Sequence, residues 1–218
     1  MRTLISGNEK PRAGDLVMAT IVEIGSHQRI ELTNGRRARL SCGDQIIVCY
    51  GNRYAPDQFE ALVADDLGGC DLVAGGGIAG REICRHDRMW APTRIMPLGL
   101  VGDTEGRRLN VADYAIDFSR ASTAIPTIAV VGTSMNSGKT MTAGSIIRGL
   151  SAAGLKVAGI KATGTGSGND LWFMRDMGAS CTLDFTDAGF ASTYLAPPKA
   201  IEKAVLGLID QAAAKGSD

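Results

Sequence analysis

The chain has 218 residues, 44% of them apolar, enough to bury a core in one large or two small domains. Its 23 lysines and arginines balance 23 aspartates and glutamates, which argues against the one-signed surface that nucleic acid or an anionic membrane requires. No apolar run approaches the roughly 20 residues of a membrane span. The five cysteines (Cys42, Cys49, Cys70, Cys84 and Cys181) lack CxxC pairing, and Met1 opens no basic, apolar leader. The expected setting is therefore the cytoplasm, with reduced thiols.

In chain order, the first half reads as strands. "DLVMATIVEI" is rich in β-branched residues, and "RIELTNGRRARL" sets Asn34-Gly35 between two alternating runs, a hairpin signal with a type I′ turn expected. "QIIVCY", "FEALVA", "REICRH" and "TRIMPLGLV" come next, with turn residues roughly every 8–12 positions, as in small barrels and sandwiches. Between two of these runs lies the polar loop "YGNRYAPDQFEA". Tyr50, Asn52, Arg53, Tyr54 and Gln58 there are candidates for a recognition surface, although a packed loop is the better account. "LVAGGGIAG" holds G-x-G-x-x-G at Gly75, Gly77 and Gly80. The next residues, "REICRHDRMWAP", look like a strand, so tight turns are expected and not a dinucleotide fold. Cys84 and His86 have no second pair at metal-ligand spacing.

The second half changes period. "TIAVV" at 127–131 reads as a short buried strand. "GKTMTAGSIIRGLSAAG" reads as a helix ending at Gly154, and "LKVAGIKA" as a second strand. "DLWFMRDMGA" is a possible helix. "PPKAIEKAVLGLIDQAAAK" is a further one, with Ile201, Val205, Leu208 and Ile209 on one face. Strand, glycine loop, helix and strand together predict a βαβ unit on a parallel sheet. The expected fold class is thus α/β: a β-rich small barrel or sandwich over residues 1–120, joined through "DFSRASTAIP" to a P-loop α/β domain with a parallel sheet over residues 121–218.

The loop "VVGTSMNSGKTMT" carries the chemistry. Gly138, Lys139 and Thr140 satisfy the second half of G-x-x-x-x-G-K-[ST]. Thr133 stands where the first glycine belongs, and Gly132 lies one position further back. Backbone N–H groups from Met135 to Thr140 can still curl around an anion at a helix N-terminus. The expected nucleotide contacts are Gly132, Thr133, Ser134, Met135, Asn136, Ser137, Gly138, Lys139, Thr140 and Met141. Lys139 would reach the β- and γ-phosphates, and the Thr140 hydroxyl would ligate magnesium (Mg²⁺). Asp170, Asp184 and Asp187 are the nearby downstream carboxylates; Asp187 is the one assigned to the metal, with turn formation the competing reading for each.

The longer spacing in "GTSMNSGKT" resembles the phosphate loops of dethiobiotin synthetase and of the cobyric and cobyrinic acid amide synthases. "GLKVAGIKATGTGSGND" extends the similarity, with Lys161 at a strand end before a glycine- and serine-rich loop. The resemblance spans about Thr127 to Gly168. It implies ATP (or GTP) with Mg²⁺, phosphoryl transfer to a small carboxylate, subsequent attack of an amine, and a role for Lys161 in gripping the acceptor. A lysine at the carboxyl end of a parallel strand is also where ligands bind in open sheets.

A Walker B strand ending in an acid is missing after the loop. "EALVADD", ending at Asp65 and Asp66, is the one upstream candidate and sits in the β-rich half. The domain therefore reads as incomplete: a fragment of a longer NTPase, or one whose sheet a partner chain or second copy completes, so a homo-oligomer is expected. The alternative to an enzyme is a non-catalytic nucleotide-responsive binding module.

Overall fold

The structure is a computed structural model and describes residues 3–117 and 125–218. The first stretch holds β1 (Thr3–Ile5), β2 (Leu16–Glu23), β3 (Arg29–Glu31), β4 (Arg37–Arg39), β5 (Gln45–Tyr50), β6 (Arg53–Tyr54), β7 (Phe59–Leu62), β8 (Cys70–Ala74), β9 (Ile78–Arg85) and β10 (Thr93–Gly102). On β2 the side chains of Val17, Ala19 and Ile21 are buried and those between them are not, the period of two that a half-buried strand imposes.

The strand pairings close on themselves. β10 pairs β2, β2 pairs β5, β5 pairs β9, β9 pairs β8, and β8 returns to β10. Only the β5–β9 contact in this ring is parallel. Closure leaves no free ladder between these five strands. The enclosed core includes Val17, Ile21, Val48, Leu72, Ile95 and Leu100. β7 extends from β9 and carries β6, while β1 adds to β10.

The β3–β4 hairpin forms, with a turn other than the expected one. Type I′ needs positive φ at both central residues, yet of Asn34 and Gly35 only Gly35 has it. Gly35 N–H donates to the Leu32 carbonyl at 2.8 Å and Leu32 N–H to the Arg36 carbonyl at 2.9 Å, a tight turn followed by a left-handed glycine. "LVAGGGIAG" is likewise a hairpin turn, between β8 and β9, and no helix comes after it.

The second stretch holds α1 (Lys139–Ala152), β11 (Ala158–Lys161), α2 (Asn169–Asp176), β12 (Cys181–Asp184) and α3 (Pro198–Ala214). β11 and β12 are parallel and form a sheet of two strands. Ala158 and Ile160 pack with Leu208 and Ala212 of α3. Gly159, on the opposite face, sits against Met174 of α2 and Ile147 of α1. The buried stripe of α3 is Ala204, Gly207, Leu208 and Ala212, so the expected face is rotated and Val205 and Ile209 look into a cavity.

The expected fold class is corrected by this topology. The molecule is mixed α/β in content, but it is dominated by the eight-stranded, mostly antiparallel sheet and is not a parallel-sheet P-loop domain. The decisive segment is 127–131. "TIAVV" is extended, belongs to no strand and makes no ladder bond among the described residues. Ile128 and Val131 are 62% and 86% exposed. An apolar run indicates that a strand is affordable, but a parallel ladder needs a neighbour in register, and among the described residues β11 pairs only with β12. The proposed junction at 117–126 falls largely outside the described residues.

Candidate functional site

A cleft of about 1820 Å³ separates the glycine loop and β11 from one side of the β-rich ring. Its lining includes residues 135–141 and Lys161 on one side, and His27, Arg29, Arg37, Arg53 and Gln58 on the other. Gly132, Thr133, Ser134 and Asp187 do not line it.

The loop is built tightly around its lysine. Lys139 is the first residue of α1, and Gly138 before it is the N-cap, in the left-handed conformation. The Lys139 Nζ donates to the Ser134 carbonyl, and to Ser137 Oγ at 3.1 Å. A Cβ placed on Gly132 would lie 2.4 Å from Ser137 Oγ and 3.0 Å from Lys139 Cγ. The displaced glycine is thus the floor over which Ser137 and Lys139 fold. The first turn of α1 has backbone N–H groups with no helical acceptor, the positive end of the helix dipole. Asn136 takes a positive φ of 63° and donates from Nδ2 to Asp57 Oδ2 at 3.0 Å, tying the loop's tip to the β6–β7 turn.

Lys161 ends β11, lines the cleft and is ion-paired with Asp170 at the start of α2. Its charge is therefore compensated within the protein. Its register partner on β12 is Asp184, which is buried. Burial raises the Asp184 carboxyl above the usual carboxylate range, against hydrogen bonds from the Thr186 hydroxyl and backbone N–H that favour its charge. Asp187 caps the following turn: its Oδ2 accepts from Asp184 N–H at 2.8 Å. The structure thus brings Lys139, Thr140 and Lys161 to one cleft and leaves Asp187 in a turn.

The carboxylates of "EALVADD" are used elsewhere. Asp65 pairs with Lys10, and Asp66 with Arg81. Cys84 donates its thiol to Glu60. Among the described residues no group of three or more His, Cys, Asp or Glu side chains is arranged to hold a metal ion, and no helix is long and apolar enough to cross a membrane.

Contacts that no motif signals hold the two parts together. Glu31 of β3 accepts from Gly168 N–H at 2.9 Å and from Ser167 Oγ at 3.3 Å. Tyr54 stacks on Tyr194 at 5.6 Å between ring centroids, and the Tyr194 hydroxyl donates to Glu60. At the β8–β9 turn, a Cβ on Gly76 would lie 1.8 Å from the Gly166 carbonyl oxygen. The two glycine-rich segments therefore meet backbone to backbone, which is what the glycines of "AGGGIAG" and "GTGSG" permit. Alternation and turn chemistry are local signals, so these long-range meetings were not readable from them. No family model, no curated protein and no solved structure matches this chain.

Proposed function

We propose that the chain binds a nucleoside triphosphate, ATP or GTP, through the loop at 132–141 and presents its terminal phosphate to a small carboxylate in the cleft. The observation that carries this reading is the loop itself. Lys139 and Thr140, the first two residues of α1, line the cleft at a helix N-terminus, where backbone N–H groups lack helical acceptors. The spacing that resembles the dethiobiotin and cobyrinate synthetases supports ATP-dependent ligation as the reaction class. Lys139 would leave the Ser134 carbonyl and neutralise the transferring phosphate; Thr140 is the residue that would hold Mg²⁺, which when bound supplies further charge neutralisation. Lys161 would contact the acceptor only on release from Asp170.

One observation favours the alternative of a non-catalytic, nucleotide-responsive module. Asp187 and Asp184 are both occupied in the turn after β12, and Asp170, which lines the cleft with Thr140, is ion-paired with Lys161. Measuring ATP binding and ATP turnover on the same preparation separates the two. Turnover that disappears in Lys139→Ala supports the ligase reading, and binding without turnover supports the module. The exposed Ile128 and Val131 support association with a second copy or a partner chain; a monomer by light scattering at micromolar concentration would count against it. The five free cysteines fit a reducing, cytoplasmic setting.

A further inference from the structure

Strand β6, between β5 and β7, holds a cation that forms no ion pair with any described residue. Arg53 is 7% exposed and takes part in no ion pair among the described residues. Its Nη2 donates to Gln58 Oε1 at 2.6 Å, while Nε and Nη1 are buried without a protein acceptor. The guanidinium carbon lies 6.0 Å from the Phe59 ring centroid, and the same ring meets the His27 imidazole at 5.5 Å. His27 Nδ1 is also buried and unpartnered. Asp57, whose charge acts on Arg53, accepts a hydrogen bond from Asn136 of the glycine loop and is not ion-paired with Arg53.

We propose that Arg53, with His27 beside it, is an anion-binding contact which the β-rich ring contributes to the cleft, receiving an anionic oxygen of the ligand from the wall opposite Lys139. A buried guanidinium without a carboxylate is costly, and Arg53 lines the cleft that the phosphate loop also lines, with Nε and Nη1 buried behind that wall. The Asn136–Asp57 bond brings the tip of that loop to the turn that carries Arg53. Burial lowers Arg53 from its ordinary value to about 10, so it is still charged at neutral pH. His27 falls to about 4, through burial first and the Arg53 charge second, and so adds no positive charge beside Arg53. Arginine suits both carboxylate and phosphate; the anion is either the acceptor's carboxylate or the nucleotide's own phosphate. The assignment of that source rests on the nucleotide reading, and the site does not.

The test follows the Arg53 Nε–H resonance in the full chain labelled with ¹⁵N-arginine, the signal assigned by its loss in Arg53→Gln. The Lys139→Ala background isolates the site from the phosphate loop. Inorganic phosphate or acetate is expected to move the resonance saturably in that background. Arg53→Gln, checked for fold by circular dichroism, is expected to bind phosphate at least tenfold more weakly by calorimetry there. In the unmodified chain, a shift with ATP that Lys139→Ala removes assigns the anion to the nucleotide; a shift with acetate and none with ATP assigns it to the acceptor. No saturable shift with phosphate, acetate or ATP, or an unchanged phosphate affinity in Arg53→Gln, overturns the proposal. ATP affinity unchanged in Lys139→Ala overturns the nucleotide reading alone.

Discussion

The β-rich ring and the segment built on β11 and β12 solve the same problem differently. Five strands of the ring satisfy one another's backbones in a closed circuit, and Leu72, Ile95 and Leu100 inside it are essentially inaccessible. The second part has two four-residue parallel strands between α3 and the α1–α2 pair. Its apolar side chains are only partly used: Val205 and Ile209 line the cleft, and so do Ile128 and Val131, which are exposed. The closed core lies in the first region, and the glycine loop with Lys139 and Thr140 lies in the second. Loops carried on a stable scaffold are where binding residues usually sit.

Substitutions can break that contrast. Leu72→Ala in the ring should lose about 3–5 kcal/mol by chemical denaturation, because the closed core cannot collapse around the missing atoms. A loss near zero would mean the ring is not a packed core. Gly76→Ala should lose about 1–3 kcal/mol and make the 163–168 loop newly sensitive to protease, since the added carbon overlaps the Gly166 carbonyl. Intact proteolytic resistance would show that the two parts do not meet there.

Acid offers a third comparison. His27 in the folded protein titrates near 4, below its ordinary 6.5, so from pH 6.5 down to 4 the unfolded chain binds a proton that the folded chain refuses. Stability should therefore fall as the pH falls through that window, by about 1–2 kcal/mol after allowing for its partial exposure. His27→Gln should remove this slope. A slope unchanged by the substitution would place the titration elsewhere. The smallest effect belongs to the second region: Ile128→Ser should change stability by less than about 0.5 kcal/mol, as for an exposed site. A large loss there would show that 127–131 is paired in solution.

How much of this was legible in the sequence depends on the range of each interaction. The alternation on β2, the hairpin at Asn34-Gly35, α1 and the loop preceding it are written in neighbouring residues, and they stand where periodicity and turn chemistry put them. Pairing between distant segments is not written locally. The return of β8 to β10 closes the ring, and the absence of any partner for 127–131 among the described residues leaves the parallel sheet at two strands. The site shows the same division. Lys139 and Thr140 are found by motif. The capture of Lys161 by Asp170, the turn-capping role of Asp187 and the unneutralised burial of Arg53 all depend on contacts the fold creates.

Whether the glycine loop holds a nucleotide's phosphates is tested most directly by calorimetric titration of the full chain with ATP and Mg²⁺, repeated on Lys139→Ala with its fold checked by circular dichroism. Saturable binding by the unmodified chain, lost in the folded variant, is the predicted result; equal affinity in both, or no binding by the unmodified chain, would contradict it.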